Sequence, residues 1–205
     1  MVGQQPLKLF IQVRILVSER MERRKAMEGL SILQLALLEK GIINLQGEVD
    51  EDMFIYVRAC LVALVVKDNP PIRIEIMSPG GSVTFGLIIY DLLRLYPGKK
   101  TGVVIGLARS IALIILQACD KRTSTRNSFV LFHHVARSNI DLGNLEDNKQ
   151  LKKIMEEMRA DQKKIYLILE KKTKKSRGVI VALCKEDREL SAQEALKFGL
   201  IDQIV

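Results

Sequence analysis

Apolar and polar positions along the chain change period several times. Ile72-Arg73-Ile74-Glu75-Ile76 alternates strictly, the signature of a strand with one buried face. Gly41-Ile42-Ile43-Asn44-Leu45 reads as a short buried strand ended by Gly47, Val103-Val104-Ile105 as another followed by Gly106, and Phe129-Val130-Leu131-Phe132 as a fourth. Between them the period lengthens. Leu16 to Lys40 mixes charged and apolar residues at roughly helical spacing. Glu48-Val49-Asp50 supplies the acidic residues a helix N-terminus favours and predicts a helix to about Lys67, before Asp68-Asn69-Pro70-Pro71 breaks the chain. Gly86 to Leu95 is helical in pattern and stops at Pro97-Gly98, and Ser110 to Cys119 is apolar enough for a buried helix. Leu151, Ile154, Met155, Met158, Ile165 and Leu169 form one stripe of a long basic helix. Ser191-Ala192-Gln193-Glu194 is a capping-box pattern, and Gly199 stands where a helix C-terminus wants a left-handed residue. Strands alternating with helices predict an α/β fold with a largely parallel sheet.

Composition narrows the class. A chain of 205 residues with 48% hydrophobic and 27% charged residues can bury a full core as one domain, 1–205. The net charge of +8 invites thoughts of nucleic acid or an anionic membrane. Its distribution argues otherwise: Lys149 to Arg177 holds 11 basic and 4 acidic residues, so +7 of the charge sits in one segment. That segment has one aromatic residue, Tyr166, which leaves little for base stacking. No nucleic-acid partner is expected, and the charge run reads as a solvated, subunit-contact or acidic-partner face. Cys60, Cys119 and Cys184 are odd in number and widely spaced, neither a disulfide framework nor a zinc site. No metal, cofactor or membrane span is expected. The longest apolar stretch, Thr101 to Cys119, is interrupted by Arg109. No secretory signal is evident, and Glu19 and Glu22 speak against a transit segment.

Four short motifs could carry chemistry, and each has an ordinary structural explanation. Ser78-Pro79-Gly80-Gly81 follows a strand as a predicted tight turn, where paired glycines let backbone amides approach a ligand or simply reverse the chain. Ser110 stands between a strand and an apolar helix. Its hydroxyl could attack a carbonyl while the Ile111 amide holds the oxyanion, or it could serve as an N-cap. His133 and His134 end an apolar strand, where alternation lets at most one face a given serine; either could be a general base, or both could lie at the surface. Asp187, ahead of the capping box, could orient a histidine or be a solvated loop acid.

Their order and context resemble the ClpP family of caseinolytic serine peptidases. The resemblance runs from Gly41-Ile42-Ile43-Asn44-Leu45-Gln46-Gly47-Glu48-Val49 through Ile76-Met77-Ser78-Pro79-Gly80-Gly81 and Asn127-Ser128-Phe129-Val130-Leu131-Phe132-His133-His134. It continues at Asp187-Arg188-Glu189-Leu190-Ser191-Ala192-Gln193-Glu194-Ala195 and closes at Phe198-Gly199-Leu200-Ile201-Asp202, covering roughly Ser31 to Val205. It implies a crotonase-like fold of repeated β-β-α units with a protruding α/β handle at 135–172, and a divergent N-terminal segment at 1–30. Ser110 would be the nucleophile, His133 the base and Asp187 the orienting acid. Gly81 and Ile111 would be the oxyanion amides, and Gly80 and Ser82 substrate contacts. His133 is chosen over His134 by the family's spacing from Ser128. The implied assembly is a homo- or hetero-oligomer of two stacked heptameric rings in a cytoplasmic compartment, a bacterial-type cytosol or an organelle matrix. An AAA+ unfoldase would feed it unfolded polypeptide for hydrolysis by a serine-type endopeptidase.

This chain departs from the family pattern in two places. Arg109 and Ala112 replace small residues around Ser110-Ile111, and His134-Val135 replaces the usual Gln-Pro after the base. Arg73, Glu75 and Thr123 stand where the family lines its unfoldase pocket with aromatic residues. Burying an aliphatic loop residue yields about 1.5–3 kcal/mol, much of which charged walls would forfeit. These departures keep a second reading open, a weakly active or inactive structural subunit of a mixed ring. Acyl-CoA chemistry on the same fold is a third, although it does not need a Ser-His-Asp set.

Overall fold

The computed structural model describes residues 30–137, 140, 141, 143 and 146–205. The sequence reading of the segment before residue 30 lies outside the described residues. Helix α1 (Ile32–Glu39) starts at Ser31, whose hydroxyl accepts from the Gln34 amide while the Gln34 side chain accepts from the Ser31 amide, a closed capping box. Strand β1 (Ile42–Val49) and helix α2 (Glu51–Val65) follow, with the Asp50 carboxylate capping α2 at the Met53 amide, 2.9 Å. Then come β2 (Ile72–Gly81), α3 (Val83–Leu95), β3 (Lys100–Arg109), α4 (Ile111–Leu116), β4 (Lys121–Ser124) and β5 (Phe129–Leu131). The long helix α5 (Asn148–Thr173) leads to α6 (Arg177–Glu186), β6 (Glu189–Ser191), α7 (Ala192–Phe198) and β7 (Gln203–Ile204).

The seven strands form one sheet. Its main path is β1-β2-β3-β4-β7, parallel throughout, as the alternation of strands and helices predicts. Strand β3 serves two neighbours in turn: residues 101–104 pair with β4, and Leu107–Arg109 pair with β5. Between these stretches, at the Gly106 break, Ser128 closes the gap. Its buried hydroxyl donates to the Val104 carbonyl (3.1 Å) and accepts from the Gly106 amide (2.9 Å). Strand β6 then adds to β5 antiparallel.

Two expectations need correction. Strand β1 does not end at Gly47 but runs on through Glu48 to Val49, because Glu48 and Val49 keep the partners Gly80 and Gly81 on β2. Ser78-Pro79-Gly80-Gly81 is not a turn after β2 but the last four residues of β2 itself. Val49 on one side and Ala108 on the other hold this stretch in the sheet, because Ser78 pairs with Ala108 and Gly81 with Val49. The predicted stripe of α5 buries only its C-terminal part, Ile165, Tyr166 and Leu169; Leu151, Ile154 and Met158 are half-buried and Met155 is exposed. Ser191 and Glu194 close the predicted capping box on α7, with Gly199 beyond it at positive φ.

The core is one buried cluster across the sheet, with α4 at its centre. All six α4 residues, Ile111 to Leu116, are at most 1% exposed, so an apolar run without polar face is possible only here, inside the molecule. Each large aliphatic side chain contributes about 1.5–3 kcal/mol by leaving water. At the N-terminal ends of the strands two buried cations are fully bonded. Arg122 bonds the Asp202 carboxylate, the Gln117 side-chain oxygen (2.6 Å) and the Gly199 carbonyl (2.9 Å). Lys100 reaches the Gly98 and Tyr96 carbonyls and pairs with Asp120 at 3.3 Å.

Candidate active site

The opposite, C-terminal edge gathers the residues that the sequence singles out. Strand β3 ends at Arg109, and Ser110 turns the chain into α4. Its amide donates to the Leu131 carbonyl at the end of β5, 2.8 Å. Ser110 has φ +53° and ψ −126°, a conformation that non-glycine residues hold only when their surroundings enforce it. It occupies the N-cap position, yet its hydroxyl makes no capping bond. The ordinary explanation for a serine there therefore fails, and a strained, uncommitted hydroxyl remains. As the first residue of α4, Ile111 presents an amide with no partner inside the helix.

Two glycines make this turn fit. Gly80 has φ +99°, and a Cβ placed on it would come 2.8 Å from the Ser110 Cβ and 2.9 Å from the Arg109 carbonyl oxygen. Gly86 on α3 leaves room for Ile111: a Cβ there would lie 2.1 Å from its Cγ1. The sequence marks Gly80 through its paired glycine, but Gly86 looks like any helical glycine until the helices are packed.

Ser110 opens onto a cavity of about 310 Å³ shared with Gly81, Ile111 and His133. Its other walls are apolar, from Pro79, Val83 and Ile114 on one side to Phe132, Val135 and Ile165 on the other, with Arg137 also on the lining. Strand β5 ends at Leu131, so neither histidine is in regular strand. They still diverge: His133 is on the cavity, and exposed His134 has its Nδ1 3.1 Å from the Tyr166 hydroxyl. The His133 Nδ1 lies 2.6 Å from the His134 carbonyl oxygen. A carbonyl only accepts, so Nδ1 donates this bond, and in the neutral ring Nε2 keeps the lone pair that a general base requires.

Asp187 is placed apart. It is exposed, caps α6 in the left-handed conformation (φ +43°, ψ +44°) and does not line the cavity. Among the described residues no hydrogen bond joins it to His133. Its place in the sheet is nonetheless specific. Strands β5 and β6 pair Phe129 with Ser191, Val130 with Leu190 and Leu131 with Glu189. Two more steps of the same register would set His133 opposite Asp187.

Arg109, which stands where the family pattern has a small residue, is an ion-paired cation. Its guanidinium binds the Glu189 carboxylate, reaching across Leu131, which is the register partner of both residues. Ala112 is buried in α4 and does not line the cavity. Gly80 and Ser82 also lie off the lining, Ser82 capping α3 at the Phe85 amide. The three thiols are poor nucleophiles, because burial pushes Cys60 and Cys119 up to about 12 and Cys184 up to about 11. Among the described residues no group of His, Cys, Asp or Glu could hold a metal ion, and no helix is long and apolar enough to cross a membrane.

A model of the Clp protease family matches residues 24–205. The chain belongs to the Clp protease family. Among curated relatives, the ATP-dependent Clp protease proteolytic subunit 1 of Streptomyces avermitilis is 31% identical over 176 residues, spanning 84% of this chain and 79% of that protein. The mixed α/β fold with its seven-stranded sheet is a Clp protease fold, and the chain is a peptidase of the Clp type. Sequence reasoning missed several residues around this candidate site. Glu189, Gly86 and Gln162, whose side-chain oxygen accepts from the Val135 amide at 2.6 Å, become visible only once elements far apart in the chain meet.

Proposed function

We propose that this chain is the catalytic subunit of a serine endopeptidase that cleaves unfolded polypeptide. Ser110 is the nucleophile. His133 takes its proton at Nε2 and returns it to the leaving amine; the amides of Gly81 and Ile111 hold the oxyanion in between. Asp187 is the acid of the set, acting on His133 through its charge; the β5–β6 register extended by two pairs would set the two residues opposite each other. The observation that carries the reading is the Ser110 conformation: positive φ, a hydroxyl free of any capping bond, and a cavity shared with His133. Exposure to a fluorophosphonate followed by intact mass, with Ser110→Ala alongside, tests it. One covalent adduct that the variant lacks supports an activated serine. No adduct on an assembled oligomer overturns it.

The subunits form two stacked heptameric rings in a cytoplasmic compartment, joined through the 135–172 handle, and an AAA+ unfoldase delivers substrate. The curated relative's name, an ATP-dependent Clp protease subunit, supports an ATPase partner. A second reading has one specific observation in its favour. Arg73 and Glu75 form an ion pair of 3.0 Å on the outer face of β2, and buried Thr123 donates its hydroxyl to the Gly102 carbonyl, 3.0 Å. One register row across the sheet runs Asn44, Glu75, Val103, Thr123, Gln203, which is mostly polar. An aliphatic docking loop gains little against the Arg73–Glu75 ion pair, which favours a mixed ring whose sister subunits bind the unfoldase. Full stimulation of the homo-oligomer by a bacterial unfoldase would overturn that second reading.

A further inference from the structure

Among the described residues, the cavity at Ser110 carries one permanent charge. Its described lining is apolar apart from the reacting groups and Arg137, the one described residue on it with a fixed charge. The segment that brings Arg137 there is tied to α5 at two points: the Val135 amide donates to the Gln162 oxygen at 2.6 Å, and Arg137 Nη1 donates to Glu157 Oε2 at 2.9 Å. The Arg137 and Glu157 side chains are 42% and 43% exposed, so the pair is open to solvent and to a ligand. Glu157 engages one nitrogen of a planar fork with five N–H donors, leaving donors for a second carboxylate.

We infer that Arg137 makes this cavity select peptides bearing an Asp or Glu side chain close to the apolar residue that fills its walls. The inference rests on the serine-peptidase reading and names its substrate class. The apolar walls take an aliphatic or aromatic side chain, and the guanidinium takes a carboxylate a residue or two away along the peptide. Glu157 sets the strength of that preference, because it competes for the same cation. An exposed pair of this kind is worth about fivefold, and salt weakens it.

Internally quenched peptides of one sequence, carrying Glu, Gln or Lys in turn at each position flanking a fixed Leu, test this on the full-length oligomer. At one flanking position kcat/KM for Glu exceeds that for Gln by about fivefold, falling toward parity in high salt. Arg137→Gln brings the Glu-to-Gln ratio to one, Arg137→Lys keeps part of it, Arg137→Glu turns the preference toward Lys, and Glu157→Gln raises it. A ratio of one at every position in the unmodified chain overturns the inference, as does a ratio that survives Arg137→Gln. If Ser110 takes the fluorophosphonate and the ratios are flat, the inference alone falls. If Ser110 takes no label and no peptide is cut, the peptidase reading falls and takes the inference with it.

Discussion

Strand β3 joins two ends of the sheet that are built on opposite principles. At its start, Lys100 is 5% exposed and bonded to two carbonyls and a carboxylate, and Arg122, paired with Gly102 near the start of β4, satisfies its guanidinium with a carboxylate, an amide oxygen and a carbonyl. At its end, Ser110 holds a strained backbone and a hydroxyl without a cap bond, and Asp187 caps a helix with its carboxylate unbonded to His133. The difference sets a bonded network at one end against the proposed reactive site at the other. A saturated network resists change because each group it loses strands another. A reactive group must be held in place by its backbone while its side chain stays free.

The largest expected effect is at the reactive end. Ser110→Ala and His133→Ala each lower peptide hydrolysis at least about 10³-fold, roughly 4 kcal/mol of transition-state stabilisation, with little change in Tm. Initial rates on a short fluorogenic peptide, measured beside thermal melts, check this. A large fall in Tm for Ser110→Ala would break the comparison, because the strained turn would then be part of the stability. Gly86→Ala comes next, at about 2 kcal/mol of stability. The new methyl collides with Ile111 even though alanine favours a helix by about 1 kcal/mol. Ile111→Ala in the same chain relieves the collision, so the double variant loses less than the sum of the two, a coupling that denaturant melts would read out.

These two positions also show what the sequence could disclose. The strictly alternating β2, the apolar α4 and the capped α7 are legible because local pattern and final burial agree. Ser110, His133 and Asp187 stand out as candidates because each lies at or just beyond a strand or helix end. Their geometry is not legible. The extension of β2 through Gly81 depends on partners at Val49 and Ala108, and the short strands β4, β6 and β7 have two to four residues each, too few to establish a period. The neutralisation of Arg109 by Glu189 spans 80 positions of sequence, and no local rule reaches that far.

At the saturated end, Asp202→Asn costs about 2 kcal/mol, below the usual penalty for breaking a buried pair because Asp202 is 40% exposed while Arg122 is 8% exposed. Burial pushes the Asp202 carboxyl up, but the Arg122 hydrogen bonds and charge outweigh this and hold it below the ordinary 3.8. A depressed carboxylate contributes stability that is complete above its unfolded value and is lost as pH falls through the folded one. The unmodified chain therefore loses Tm from about pH 4 downward, and Asp202→Asn loses less over the same range. The Asp120 carboxyl, also lowered, adds to the slope in both chains. Melts from pH 6 to 2 test this. Fluorophosphonate labelling of Ser110 at neutral pH stays unchanged in Asp202→Asn if the two ends are independent.

The smallest effect sharpens the comparison most. Asp187→Asn is expected to lower peptide hydrolysis only about tenfold, ~1.4 kcal/mol. The His134 carbonyl already fixes the proton on the His133 Nδ1, so the amide at 187 costs the charge but not the tautomer. In a triad where the acid alone sets the tautomer, the same change costs about 10⁴-fold. Rates for His133→Ala and Asp187→Asn, taken side by side on the assembled oligomer, separate the cases. A loss at Asp187 equal to that at His133 would mean that the working oligomer grows the β5–β6 ladder by two pairs, moves Asp187 out of its left-handed conformation and gives up the His134 contact. The reactive end would then be a site completed by strand pairing rather than one already held by its own backbone.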